Sequence, residues 1–277
     1  MGILLIGIGT LFQEVSDSIG KIKVKIHEES PYTMAFLSVF WWAIFLALIA
    51  IVKHNTFTFS IESLPTFSVR AILEIFQLYV CTYAIIKAER STYNFIRTGT
   101  IPLLLIVDLL LWYSIGTTAI IGIIIVMISL WILLFNREIK KGGIRLVVLS
   151  TINAVFTISL YKYDITHFNS IVGEQLIMYT ILLISFFIFD RIKFKENPMS
   201  FLNKRIFLVQ SLAIWIGGII QDFAYNYGAA SIITTAKRWL AIIRSMITGK
   251  IYFKEKHVMV RIYILIPLIL WLILLII

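Results

Sequence analysis

The chain has 277 residues, of which 60% are hydrophobic and only 14% charged, with a formal net charge of +10. Its mean hydropathy is +0.93. A soluble domain of this length needs far more polar surface, so the composition excludes one and points to a polytopic membrane protein. The positive charge reads as loop charge that sets topology, not as a nucleic-acid interface.

A helical span needs about 20 mostly apolar residues. In chain order, such runs fall at 3–21, 33–52, 67–88, 91–112, 115–135, 144–162, 171–190, 205–227, 229–250 and 257–277. They are too long and too uniformly apolar for the alternating strands of a membrane barrel. The expectation is an all-α integral membrane protein with ten transmembrane helices. Its first run has no basic segment before Ile3 and is interrupted late by Glu14 and Asp17, the reverse of a cleaved signal, so it reads as a true first span.

The connectors are short, and the longest are 53–66, 136–143 and 191–204. One side of the membrane collects Lys21, Lys23, Lys25, Lys87, Arg90, Arg137, Lys140, Lys141, Arg191, Lys193, Lys195, Lys204, Lys254 and Lys256. The other holds Lys53 and Lys162. Positive loops face the cytoplasm, which puts both termini outside the cell membrane. The segment 136–143 divides the chain into two five-helix halves, 1–136 and 137–277. A shift of 140 places Ser91 on Ser231, Arg97 on Lys237 and Val15 on Val155. An odd number of helices per half inserts the second copy upside down, an inverted repeat.

Ionisable groups interrupt several spans, and each is costly in hydrocarbon unless it faces the bundle interior or water. The first helix carries Thr10, Glu14, Asp17, Ser18 and Lys21 on one stripe. The third carries Arg70, Glu74, Gln77 and Cys81, and the fourth carries Tyr93, Asn94, Arg97 and Thr98 shortly before Pro102. Gln221, Asp222 and Asn226 mark the eighth. In the ninth, Thr234, Lys237, Ala241, Arg244 and Thr248 share a face, with Arg238 on its flank. Two readings stay open. The cations line a hydrated cavity and bind an anionic group, or they pair with Glu14, Asp17, Glu74 and Asp222 as internal ion pairs.

The segment AKRWLAIIRSMITGKIYFKEKHVMVR (Ala236–Arg261) resembles the end of EamA-type transporters of the drug/metabolite transporter superfamily. Lys237–Arg238, Gly249, Phe253–Lys256 and Arg261 carry the likeness, and Asp17 with Lys21 resembles a pattern of that family's first helix. The resemblance implies ten helices in two inverted five-helix repeats and secondary transport by alternating access. It also implies that Lys237, Arg238 and Arg97 grip an anionic group; Thr234, Tyr93 and Asn94, from the polar stripes of the same two helices, are expected beside them. Glu14, Asp17, Glu74 and Asp222 are then coupling or charge-pairing groups. Family members are often described with cytoplasmic termini, opposite to the loop-charge count.

The expected partners are the bilayer and a small, anionic metabolite, without nucleic acid and with a homodimer left open. The alternatives are a flippase for lipids or lipid-linked sugars and an exporter of amino acids or drugs. No cofactor or metal is expected. Cys81 is the sole cysteine, and His27, His54, His167 and His257 lack ligand spacing. No GxxxxGK[ST] motif and no HExxH occurs, so neither ATP hydrolysis nor an intramembrane enzyme is expected.

Overall fold

The computed structural model describes residues 1–53, 56–110, 142–224 and 230–255, with single positions at 121, 124, 125, 128 and 227. The expected fifth and tenth spans, 115–135 and 257–277, lie outside the described residues apart from those isolated positions. The described chain is helical, and no strand occurs in it. Its helices are α1 (Gly2–Lys25), α2 (Pro31–Val52), α3 (Leu64–Lys87), α4 (Arg90–Arg97), α5 (Thr100–Leu110), α6 (Ile144–His167), α7 (Ile171–Lys193), α8 (Arg205–Ala224) and α9 (Ala230–Ile251). A 3-10 turn at Ile61–Ser63 leads into α3, and a single helical turn, Pro198–Phe201, precedes α8.

Five described helical segments are long and apolar enough to cross a membrane: Gly2–Lys25, Pro31–Val52, Ile61–Lys87, Ile144–His167 and Ile171–Lys193. Their surfaces are apolar outward and polar inward. Helix α3 exposes Val69, Ile72 and Phe76 while it buries Arg70 and Gln77. On α6 Leu149, Ile152 and Phe156 are exposed, and on α7 Ile184, Ile188 and Ile192. Spacings of three and four put each set on one face. Exposed apolar stripes over a polar interior suit hydrocarbon as the surrounding solvent, as in an integral membrane protein. Helix α9 is as long, but Lys237, Arg238, Arg244 and Lys250 keep it out of this apolar set.

The expected fourth span, 91–112, contains Pro102, which can break or kink a helix, and the structure divides it into α4 and α5 at Thr98–Gly99. Pro102 explains the position. It has no N–H to give the carbonyl four residues back, which belongs to Thr98. That carbonyl instead accepts from Ile101 N at 3.0 Å, a tighter turn that ends α4.

The residues group into two compact units. One comprises Met1–Glu14, Lys87–Ile152 and Gly217–Ile277, and the other Val15–Ile86 and Asn153–Ile216. Helices α1, α6 and α8 each contribute to both. In the first unit α4 packs on α9. Gly9 and Gly217 allow α1 and α8 to approach closely, since a Cβ on Gly217 would lie 2.7 Å from the Gly9 carbonyl. Gly143 has φ +78°, and a Cβ there would lie 2.6 Å from Ala88 N, so only glycine fits.

The second unit is built on α2 and α7. Its core holds Phe36, Leu37, Met178, Leu182, Phe186 and Phe207. Helix α2 starts at the Ser30 cap, whose hydroxyl accepts from Thr33 N at 2.9 Å, followed by Pro31 in the first turn. Ser30 Oγ donates to Asp190 Oδ1, and Thr33 Oγ1 also donates to Asp190. This ties the start of α2 to the end of α7.

Candidate functional site

The first unit contains a buried polar cluster around Glu14. Arg90 donates from Nε to Glu14 Oε1 at 3.1 Å and from Nη2 to Oε2 at 2.8 Å. Thr248 Oγ1 donates to Glu14 Oε1 at 2.6 Å. Arg90 is 0% exposed and Glu14 6%. The guanidinium of Arg90 also lies over the Tyr93 ring, 5.7 Å from its centroid. Arg244 adds positive charge near Glu14, and its Nη2 would lie 3.7 Å from a Cβ on Gly7 of α1.

Two observations add to the reading from sequence. Arg90, counted among the cytoplasmic loop charges, is fully buried. Glu14 pairs with Arg90, a residue that the expected set of Arg97, Lys237, Arg238 and Arg244 does not include. The connector Ala88–Glu89 is so short that Arg90 already belongs to the first turn of α4 and faces inward.

The N-terminus of α4 is closed from a distance. Glu89 is its N-cap but makes no side-chain cap. Glu255, just past α9, takes that role. Its carboxylate accepts from the backbone N–H of Arg90 and, at 3.4 Å, from that of Ser91, as well as from Ser91 Oγ. A carboxylate at a helix N-terminus satisfies orphan donors and complements the helix dipole. Gly249 makes room for it.

Of the expected binding residues, Tyr93 is buried, while Asn94, Arg97, Lys237 and Arg238 are partly buried. Arg97 Nη1 donates to the Ser150 carbonyl at 3.2 Å. Because α4 packs on α9, the structure brings Tyr93, Asn94 and Arg97 to the same helix pair as Lys237 and Arg238. Thr234 lies on α9, but its side chain and that of Asp222 are outside the described residues. Asp17 and Lys21 are buried on α1, as the polar stripe requires.

The second unit contains a separate polar cavity of about 180 Å³, lined by Arg70, Glu74, Thr157, Ile158, Tyr161, Gln175, Met178, Tyr179 and Leu182. Arg70 pairs with Glu174, and their side chains are 2% and 0% exposed. Its guanidinium stacks 4.5 Å from the Tyr161 centroid. Glu174 also accepts from Asn169 Nδ2, and Asn169 in turn donates to Ser63 Oγ at 2.9 Å and accepts from Ser60 N at 2.8 Å. Glu74 Oε1 is 3.8 Å from Arg70 Nη2, one helical turn along α3. Glu174 escaped the sequence reading because its span is otherwise unbroken; a lone carboxylate in the first turn of an apolar helix was the available signal.

Among the described residues no group of His, Cys, Asp and Glu has the makings of a metal site. No family model matches the chain, and no curated protein sequence matches it.

Proposed function

We propose that the protein is a secondary transporter of the EamA type, moving a small anionic metabolite by alternating access and carrying out no chemical conversion. In this reading ten helices form two inverted halves, 1–136 and 137–277, in the cell membrane with both termini outside. Lys237, Arg238 and Arg97 hold the anionic group. The observation that carries it is the pairing of α4 with α9. Helix α4 is interrupted at Thr98–Gly99, and α9 concentrates cations in a chain otherwise suited to hydrocarbon. Broken helices at a repeat interface supply backbone and side-chain groups for substrate in many transporters. Arginine and lysine on adjoining helices suit a carboxylate or phosphate.

The test is a thermal-shift screen of purified protein with sugar phosphates, nucleotides, amino acids and cationic amines, followed by uptake of any stabilising compound into proteoliposomes. Anionic compounds should stabilise the wild type. Lys237→Gln should weaken that binding about 10- to 100-fold, the value of a hydrogen bond to a charged group, while melting as the wild type does. Stabilisation by cationic amines alone, or unchanged anion binding in Lys237→Gln, would overturn the proposal.

A further inference from the structure

We propose that the end of the second unit where α1 turns into α2 is a proton-binding site: Glu29, Asp190 and Glu196 hold protons among them, and these latch the connector after α7 to the start of α2, whether or not the protein carries a solute. Glu29 is 3% exposed and Asp190 0%, and Glu196 is partly buried. Among the described residues no cation lies within ion-pair distance of any of them. Lys23 of α1 pairs instead with Glu28 at 2.7 Å. Lys193 of α7 turns its Nζ to the Tyr32 hydroxyl, 3.3 Å away. His27 and Glu28, in the same turn as Glu29, are exposed. The macrodipole at the start of α2 amounts to about half a positive charge, too little for three carboxylates so placed.

Hydrogens are too few for the contacts these groups make. Asp190 Oδ1 accepts from Ser30 Oγ at 2.5 Å, and Glu196 Oε2 accepts from Ser30 N at 3.2 Å. Thr33 Oγ1 meets both Asp190 Oδ2 and, at 3.0 Å, Glu196 Oε2, yet a hydroxyl has one hydrogen to give. A proton on Glu196 Oε2 completes the chain: Glu196 donates to Thr33, and Thr33 donates to Asp190, which keeps its charge. On the α8 side Gln210 Nε2 donates to Glu29 Oε1 at 3.0 Å. Glu29 Oε2 and Gln210 Oε1 are both buried without a hydrogen-bonding partner. An orphaned acceptor on each of two bonded side chains calls for a hydrogen, and a proton on Glu29 supplies one. Burial, reinforced by Glu196 and Asp190 against Gln210 and Lys23, holds the Glu29 carboxyl well above its usual range. The folded state therefore binds protons that the unfolded chain releases, so the latch is firm at acid pH and loosens as pH rises. Each step passes a proton from a carboxyl to water. The charges left behind repel, and the connector at 194–197 comes away from α2.

Infrared difference spectra of the purified protein between acid and alkaline pH read the protons. Amide hydrogen exchange over 26–33 and 190–198, corrected for its intrinsic pH dependence, reads the latch. In the wild type a protonated-carboxyl band should fade as pH rises, and exchange in both segments should quicken about tenfold, the equivalent of one pKa unit. Glu196→Gln gives Thr33 a permanent amide donor. It should remove part of the band and keep 190–198 protected at alkaline pH. Glu29→Gln should remove a further part of the band. Thr33→Val, which cannot relay a hydrogen, should loosen the connector at every pH. A band undiminished in Glu196→Gln and Glu29→Gln overturns the site, Glu196→Gln alone sufficing where Glu29→Gln does not fold. Alkaline protection restored by sodium or magnesium ions overturns it in favour of a cation site. Exchange that is independent of pH in the wild type overturns the latch.

Discussion

Arg90 grips both carboxylate oxygens of Glu14, at 3.1 and 2.8 Å, with both side chains buried. A bidentate pair of this kind leaves little freedom at either end. Removing one partner strands the other charge, and for a buried pair that costs about 3–5 kcal/mol. Glu14→Gln and Arg90→Met should therefore each lower the melting temperature of the detergent-solubilised protein markedly. The double variant should recover a large part of the loss, because replacing both charges removes the stranded one. Additive losses in the double variant would mean that the pair is not coupled.

Gly249 faces the carboxylate that closes α4. A Cβ on it would lie 2.5 Å from Glu255 Oε2. The carboxylate is the movable end of its side chain, but moving it releases the N–H groups of Arg90 and Ser91. Gly249→Ala should destabilise by about 1–3 kcal/mol, the range for overpacking. Adding Glu255→Asp, one methylene shorter, should soften that loss. Melting curves of the two variants decide it.

Glu29 sits in the turn between α1 and α2, outside the spans, and is 3% exposed. Burial pushes its carboxyl well above the usual value of 4.5, and the neighbouring Glu196 and Asp190 push the same way; Gln210 and Lys23 act against them. The folded state therefore binds this proton more tightly than the unfolded chain. The stability it contributes is full below about pH 4.5 and is lost as pH rises toward the elevated folded value. Glu29→Gln keeps an amide in place and removes the titration. Its melting temperature relative to the wild type should rise from acid to neutral pH. A difference independent of pH would contradict the burial of the charge.

The spans at 33–52 and 171–190 were legible because an apolar run is a local property, and α2 and α7 match them within a few residues. The break after Arg97 was half legible. Pro102 announces it, but only the backbone shows that the orphan carbonyl belongs to Thr98 and that the turn closes there. The Glu14–Arg90 pair was not legible. Arg90 follows a helix end, where a cation reads as loop charge, and its partner lies 76 residues away. The Glu255 cap joins residues 165 apart. The cavity beside Glu74 depends on which side of α6 and α7 meets α3, which no single helix encodes. The polar stripe of α3 identified its residues without naming Glu174 or Tyr161.

The long-range ties of α4 bear on the order in which the chain is made. Arg90 and Glu14 emerge early and can neutralise each other as soon as α4 is inserted. Thr248 and Glu255 are synthesised much later, and until then the first turn of α4 has no distant carboxylate to accept from its N–H groups. A nascent chain that stops short of Glu255 therefore carries an unfinished helix start beside Arg90.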